Sequence, residues 1–157
     1  MRQSDFFAQD INDDNDWEPN ISGHKKLCKQ IEDLLDSKVY REIHDYPSKA
    51  KEYVKGAPYQ DMYGCKRRSA FLFFHPLYGL TRIEPHVQQT SGSVDLKFPF
   101  YLHSAERVKE PNVVFVFDGN GYKKEAFHWL EDKACQQQEK QILVFDNLPQ
   151  LDAWLDG

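Results

Sequence analysis

The sequence predicts a single α/β domain with a mixed central β-sheet flanked by helices. Its length of 157 residues is that of one ordinary domain. The first third carries an amphipathic helical pattern, and the second half alternates apolar strands with helical segments. The run "NVVFVF" at 112–117 is apolar on both strand faces, which is typical of a strand covered by helices on both sides.

The first half of the chain predicts a helix followed by a β-hairpin. Ser22 is a candidate N-cap, and apolar residues recur after it at helical spacing. Segment 44–60 contains Pro and Gly and leaves room for a short second helix. The segment after it predicts two antiparallel strands, near 70–74 and 82–88, joined by a tight turn.

The last third predicts the order strand, helix, strand, helix. The strands lie near 113–117 and 142–145, with a helix near 123–136 between them and a short helix "LPQLDAWL" at the end. A right-handed crossover makes these strands parallel neighbours. "DGNG" at 118–121 lacks the spacing and the Lys of a phosphate-binding P-loop, so we expect a tight turn there.

Composition and charge restrict the classes of function. A net charge of −5 argues against coating nucleic acid by bulk electrostatics, although a local basic site stays compatible with it. An acidic arm over residues 1–20 precedes the domain at 21–157, and no apolar stretch suits a signal or a membrane span. We therefore expect a cytoplasmic protein without a membrane partner. The three cysteines form no CxxC pair, and we expect them to be small buried hydrophobes.

Four polar side chains share one face of the second hairpin strand. Alternation places them together, because residues two apart point the same way; they are Arg82, Glu84, His86 and Gln88. They form either the ordinary solvent face of a sheet or, if helices cover both faces, a row at a cleft or at the open end of the sheet.

The order of short motifs in the second half resembles the PD-(D/E)XK nuclease superfamily, in particular its type II restriction endonuclease-like members. The motifs are Glu84-x-His86 with two following Gln, then "SGSVDLKFPF", then "VVFVFDGNGYKKEAFHWL". The resemblance covers roughly residues 62–157. It implies a restriction endonuclease-like core that hydrolyses double-stranded DNA with Mg²⁺, or with Mn²⁺ as a substitute. A homodimer is expected, because cutting both strands takes two sites related by a twofold axis.

The resemblance also implies a metal-binding and catalytic set. Glu84 matches the second carboxylate of the family, and Gln88 follows it in the catalytic set. His86 stands where the family usually has Lys, and its backbone carbonyl or that of Val87 is a further candidate oxygen ligand for a hard cation. Ala70 stands at the first carboxylate position, where its methyl group has no oxygen to offer a metal.

Two other carboxylates and the role of His86 leave alternatives open. Asp61 is either a substitute ligand or, as its predicted turn favours, a turn residue. Glu32 on the first helix is either a third metal carboxylate or a solvated residue. His86 acts as a base, supplies positive charge as an imidazolium, or simply fills a strand position.

Several residues are candidates for DNA contact. The turn before Lys97 is either an ordinary connection or a segment whose backbone amides come close to a DNA phosphate. The basic run "KRR" either contacts DNA or is a solvated edge. The candidates are Arg67, Arg68, Arg82, Ser91, Gly92, Ser93 and Lys97. Two hypotheses follow, a Mg²⁺-dependent DNA endonuclease and a DNA-binding or regulatory pseudonuclease that has lost catalysis.

Overall fold

Strand β5 (Asn112–Asp118) separates two hydrophobic layers, as its continuous Val and Phe run predicts. Val114 and Val116 face one layer, and Phe115 and Phe117 face the other. The structure is a computed structural model that describes residues 18–88 and 94–157. Over those residues a six-stranded sheet lies between two pairs of helices.

The remaining elements follow in chain order. They are α1 (Glu18–Ser37), β1 (Arg41–Glu42), β2 (Glu52–Gln60), β3 (Lys66–His75), β4 (Gly79–Val87), a 3-10 turn (Val94–Lys97), α2 (Phe98–Arg107), α3 (Lys124–Cys135), β6 (Gln141–Phe145) and α4 (Leu148–Leu155). Sheet order follows chain order, with β2, β3 and β4 antiparallel and β4, β5 and β6 parallel. Helices α1 and α4 pack on one face, and α2 and α3 pack on the other.

The mixed sheet, the antiparallel pair β3–β4 and the parallel strands β5 and β6 are confirmed. The expected second helix within 44–60 is wrong, because β2 occupies most of that segment and tolerates Pro58 along its largely unpaired outer edge. Helix α1 begins at Glu18, before the expected cap at Ser22. Helix α2 was not expected, because Pro99 begins this helix instead of breaking it.

The expectation that all three cysteines are buried is wrong for two of them. Cys65 lies in the turn before β3, and Cys135 is the last residue of α3. Both are exposed, whereas Cys28 on α1 is partly buried. Most of the acidic arm lies outside the described residues, and no helix within the described ranges has the length and apolar composition to cross a membrane.

The sheet is interrupted at nearly the same level on three neighbouring strands. The β2–β3 ladder skips Gly56 and Ala70, and Gly56 has a left-handed φ of 68°. The β3–β4 ladder ends at the pair Phe71–Ile83, before Pro85, which has no amide hydrogen to donate. We call this interruption the sheet break. Such irregularities re-aim side chains and are frequent beside functional sites.

The loop after β5 is clamped to the residue that follows β4. The backbone nitrogen of Gln88 donates to the Asp118 carbonyl, and the backbone carbonyl of Gln88 accepts from the Gly121 nitrogen at 2.8 Å. The Gln88 side chain donates to the Gly121 carbonyl at 2.8 Å. Gly119 has a φ of 93°, and a Cβ atom there would lie 2.3 Å from the Gln88 carbonyl oxygen. Only glycine fits this approach.

Gly119→Ala should destabilise the fold far more than Gly79→Ala. Both glycines have positive φ, but a Cβ atom at Gly79 would meet nothing within 4 Å. Backbone strain alone costs about 1 kcal/mol, whereas strain with a backbone clash should cost about 3 kcal/mol or more. Urea unfolding of the two variants measures the difference. Equal free energies of unfolding would show that the contact between residue 119 and the Gln88 carbonyl accommodates a Cβ atom without loss of stability.

Candidate active site

Glu84 lies at the sheet break, on the face that α2 and α3 cover, because its strand neighbour is the buried Phe115. The Ser69 hydroxyl donates to Glu84 Oε2 at 2.5 Å. The same hydroxyl accepts from Arg82 Nη1 at 3.0 Å. Ser69 of β3 therefore contacts the Glu84 carboxylate directly.

Arg82 is the buried centre of this network, with only 4% of its surface exposed. Its Nε donates to Glu110 Oε1 at 2.7 Å, and its two terminal nitrogens donate to the carbonyls of Ala57 and Pro58 at 3.2 and 3.0 Å. Burial alone would raise the pKa of Glu110, but hydrogen bonds from Arg82 and Tyr46 outweigh it and lower this pKa. The expectation that Arg82 contacts DNA is corrected, because its guanidinium faces the interior.

Ala70 lies on the α1 side of the sheet, at a surface groove between α1 and strands β2 and β3. We call it the α1 groove; its lining residues are His24, Lys25, Cys28, Lys29, Glu32, Lys55, Ala70 and Phe71. Within it, Lys55 Nζ donates to Glu32 at 3.1 Å. Glu32 therefore shares a cation-rich groove with Ala70.

The Cys28 thiol lines this groove, and the charge of Glu84 influences its pKa. Burial raises the pKa of Cys28 to about 12, and the negative charges of Glu84 and Glu32 add to this effect. The two carboxylates thus act on the same thiol from β4 and from α1. Glu32 and Ala70 line the groove together, whereas Glu84 does not line it.

The side chains that the structure describes do not form a site for Mg²⁺. Within residues 18–88 and 94–157, no three His, Cys, Asp or Glu side chains are grouped closely enough to hold a metal ion. The Ala70 side chain has no ligand atom, and Glu32 is paired with Lys55. A hard cation needs several oxygen ligands in a defined geometry. The donor set around Glu84 is therefore incomplete.

Asp61 does not complete the set, because it organises the turn between β2 and β3. Its fully buried carboxylate accepts from the backbone nitrogens of Tyr63 and Cys65 and from Arg67 Nε, each at 2.9 Å. These contacts use both carboxylate oxygens. Of the two roles that the sequence leaves open, the structure favours the turn residue.

His86 lies in an aromatic environment on the α2 side of the sheet. Its ring stacks on Tyr101 with centroids 4.1 Å apart and planes 11° apart, and Phe117 lies 5.4 Å away. The residue as a whole is half-buried, and its Nε2 is buried without a hydrogen-bond partner in the described part of the chain. Burial lowers the pKa of His86 to about 3, with further lowering from His24 and Lys97. The ring is therefore neutral near pH 7, which opposes the role of an imidazolium.

The other predicted site residues have mixed surroundings. Gln88 is buried and bonded to the loop at Gly121. Arg67 is half-exposed and paired with Asp61, whereas Arg68 is exposed and donates to the Gly56 carbonyl. Lys97 is half-buried and immediately precedes α2. Ser91, Gly92 and Ser93 lie outside the described residues.

Ser69 and Cys28 are site residues that sequence reasoning missed. In an uninterrupted ladder, Ala70 would stand directly opposite Glu84, and Ser69 would point to the opposite face of the sheet. The sheet break changes this arrangement and places Ser69 against Glu84. Gly56 and Pro85 were the available signals, because both disturb regular pairing.

The fold and the site define a nuclease-like α/β domain, with a carboxylate at a break between antiparallel strands and a cation-rich groove beside it. The family model for the PD-(D/E)XK nuclease superfamily domain matches residues 19–155. The chain belongs to this superfamily. No curated protein and no solved structure matches it significantly.

His86→Phe should weaken the pH dependence of stability. The ordinary His pKa is 6.5, and the pKa of His86 in the folded chain is about 3. Between these two pH values, His86 is protonated in the unfolded chain and neutral in the folded chain. This stability is fully present above pH 6.5 and is lost as the pH falls towards 3, by at most about 1.4 kcal/mol per pH unit. Urea unfolding at a series of pH values measures the slope. Phe keeps the aromatic stack and removes the titration.

His103→Phe is the matched control, because His103 is exposed on α2. It should leave the slope near the wild-type value. An unchanged slope in His86→Phe would show that His86 binds its proton as readily in the folded chain as in the unfolded chain.

Proposed function

We propose that this chain is a DNA-binding domain built on a restriction-type endonuclease fold, in which the metal site is incomplete and cleavage is slow or absent. The observation that supports this most is Ala70, which lines the α1 groove with Glu32 and stands where the family has its first metal-binding carboxylate. A carboxylate at Ala70 would add the missing oxygen ligands. The neutral, buried His86 adds a second loss, because it supplies no positive charge to a phosphate.

The charge of the α1 groove supports DNA as the partner. Lys25, Lys29 and Lys55 line it, and the exposed Arg68 precedes Ala70 on β3 by two residues. Because the net charge of the protein is −5, the protein as a whole repels DNA, and attraction to phosphate depends on local basic sites such as this one. Lys97 would add a phosphate contact at the start of α2. Binding of double-stranded DNA should accordingly fall steeply with salt.

A Mg²⁺-dependent endonuclease that is active as the sequence stands is the second candidate. Glu84 is present, and its charge and that of Glu32 both act on the Cys28 thiol. A metal held by these carboxylates and by backbone carbonyls would polarise the phosphate, with Mn²⁺ as a substitute. Either candidate would work on duplex DNA as a homodimer, in which two sites address the two strands.

The double variant Ala70→Asp/His86→Lys should gain DNA cleavage. Wild-type protein should retard duplex DNA in a gel-shift assay and leave supercoiled plasmid intact with Mg²⁺ or Mn²⁺. The double variant should cut at least about a hundredfold faster, because each factor of ten in rate corresponds to about 1.4 kcal/mol of transition-state stabilisation. Plasmid nicking and linearisation measure the rates.

The matched control is Ser69→Asp/His86→Lys, which places the same carboxylate one residue away. It should stay inactive, because an Asp at this fully buried position would lie against the Arg82 guanidinium and would not open into the groove. Cleavage by this control and not by the repaired variant would assign the missing ligand to position 69. Glu84→Gln added to the repaired variant should abolish cleavage. Wild-type cleavage at the rate of the repaired variant would favour the second candidate. Intact plasmid with the repaired variant would refute the assignment of Ala70 to a ligand position.

A further inference from the structure

The turn at residues 61–65 holds an exposed aromatic ring on a rigid support. Tyr63 is 73% exposed. Its backbone is nevertheless fixed, because Asp61 accepts from the nitrogens of Tyr63 and Cys65, and the Met62 nitrogen donates to Ser104 Oγ of α2 at 3.0 Å. The turn therefore presents Tyr63 in a defined position.

Helix α2 also fixes the orientation of the Tyr63 ring. This ring stacks on Phe100 with centroids 5.7 Å apart and planes 30° apart. The Arg67 guanidinium lies 5.3 Å from the centre of the Phe100 ring and is bonded to Asp61. A ring that is mostly exposed adds little hydrophobic stabilisation. The arrangement therefore suits a ring that offers an open surface to a ligand.

The surroundings of Tyr63 are positively charged. Arg107 is exposed and donates to the Met62 carbonyl at 3.3 Å, and Lys66 and Arg67 follow the turn directly. An aromatic surface beside guanidinium and ammonium groups matches the two parts of a nucleotide, a flat base and an anionic phosphate. Charge complementarity thus favours nucleic acid as the ligand of this surface.

The turn also lies at the edge of the candidate active site. Arg67 and Ser69 are two residues apart on β3, a span of about 7 Å in a strand. Ser69 is bonded to Glu84. A nucleotide on Tyr63 would therefore continue towards the sheet break.

We propose that Tyr63 is a stacking platform for an unpaired DNA base beside the candidate active site. A base inside a paired duplex is already stacked on both sides, so only an unpaired or displaced base offers a free surface to the ring. The preferred ligand is then DNA that contains a locally opened position. This inference rests on the proposed function, because it requires bound DNA to reach the α2 side of the sheet in addition to the α1 groove.

The test compares two duplex oligonucleotides that differ at one position. One carries a single unpaired 2-aminopurine, and in the other the same base is paired. Wild type should bind the unpaired probe more tightly and quench its fluorescence. Tyr63→Leu should lose affinity for this probe about tenfold or more, with less quenching, whereas Tyr63→Phe should keep both.

Leu77→Ala is the matched control, because Leu77 is 70% exposed in the turn between β3 and β4, at the opposite end of the sheet. It should bind both probes like the wild type, and urea unfolding should show that each variant is folded. If wild type binds neither probe at low salt, the proposed function fails and the platform fails with it. If wild type binds both probes equally and Tyr63→Leu changes neither affinity, the platform alone is refuted.

Discussion

The buried Arg82 guanidinium is the interaction on which the arrangement of the site depends. It bonds to two carbonyls of β2, to Ser69 on β3 and to Glu110 after α2, while its own backbone belongs to β4. These bonds connect three neighbouring strands next to the sheet break. Removing the guanidinium would leave the Glu110 carboxylate buried without its cation, which typically costs about 3 to 5 kcal/mol. The same contacts place Ser69 against Glu84.

Burial sets the protonation state of His86 and of Cys28 near the candidate site. The Ala70 side chain provides no ligand atom, and the aromatic surroundings of His86 keep its ring neutral. The Cys28 thiol stays protonated in the field of Glu84 and Glu32. Cations, in contrast, are retained along the α1 groove. On our proposal, the chain has kept the charges that attract DNA and lost the groups that would cleave it.

Sequence patterns were sufficient for the parts of the fold in which local preference and packing agree. The run at β5 predicts burial on both faces because every position is apolar, and the hairpin β3–β4 follows from two apolar strands around a tight turn. Helix α2 was missed because Pro99 suggests an interruption until its position at the helix start is known. Strand β2 was missed because Gly56 and Pro58 weaken its pattern.

The candidate site was predictable only in part, because its contacts join residues that are distant in sequence. The alternation argument placed Arg82 beside Glu84 correctly, but it did not indicate that Glu110 would bury the guanidinium. The family resemblance assigned the metal-ligand position beside Glu84 to Ala70, whereas the sheet break places Ser69 against Glu84. The exposure of Tyr63 could not be predicted from the sequence either, because it depends on how α2 packs against the turn.

The most direct test of the central claim, that one missing carboxylate leaves the metal site incomplete, is metal binding without any reaction. Electron paramagnetic resonance of Mn²⁺ distinguishes the free hydrated ion from the bound ion in wild type, Ala70→Asp and Ala70→Asp/Glu84→Gln. We predict that wild type leaves Mn²⁺ free, that Ala70→Asp binds it, and that the added Glu84→Gln releases it again. Equal binding by wild type and Ala70→Asp, or by neither of them, would contradict the account.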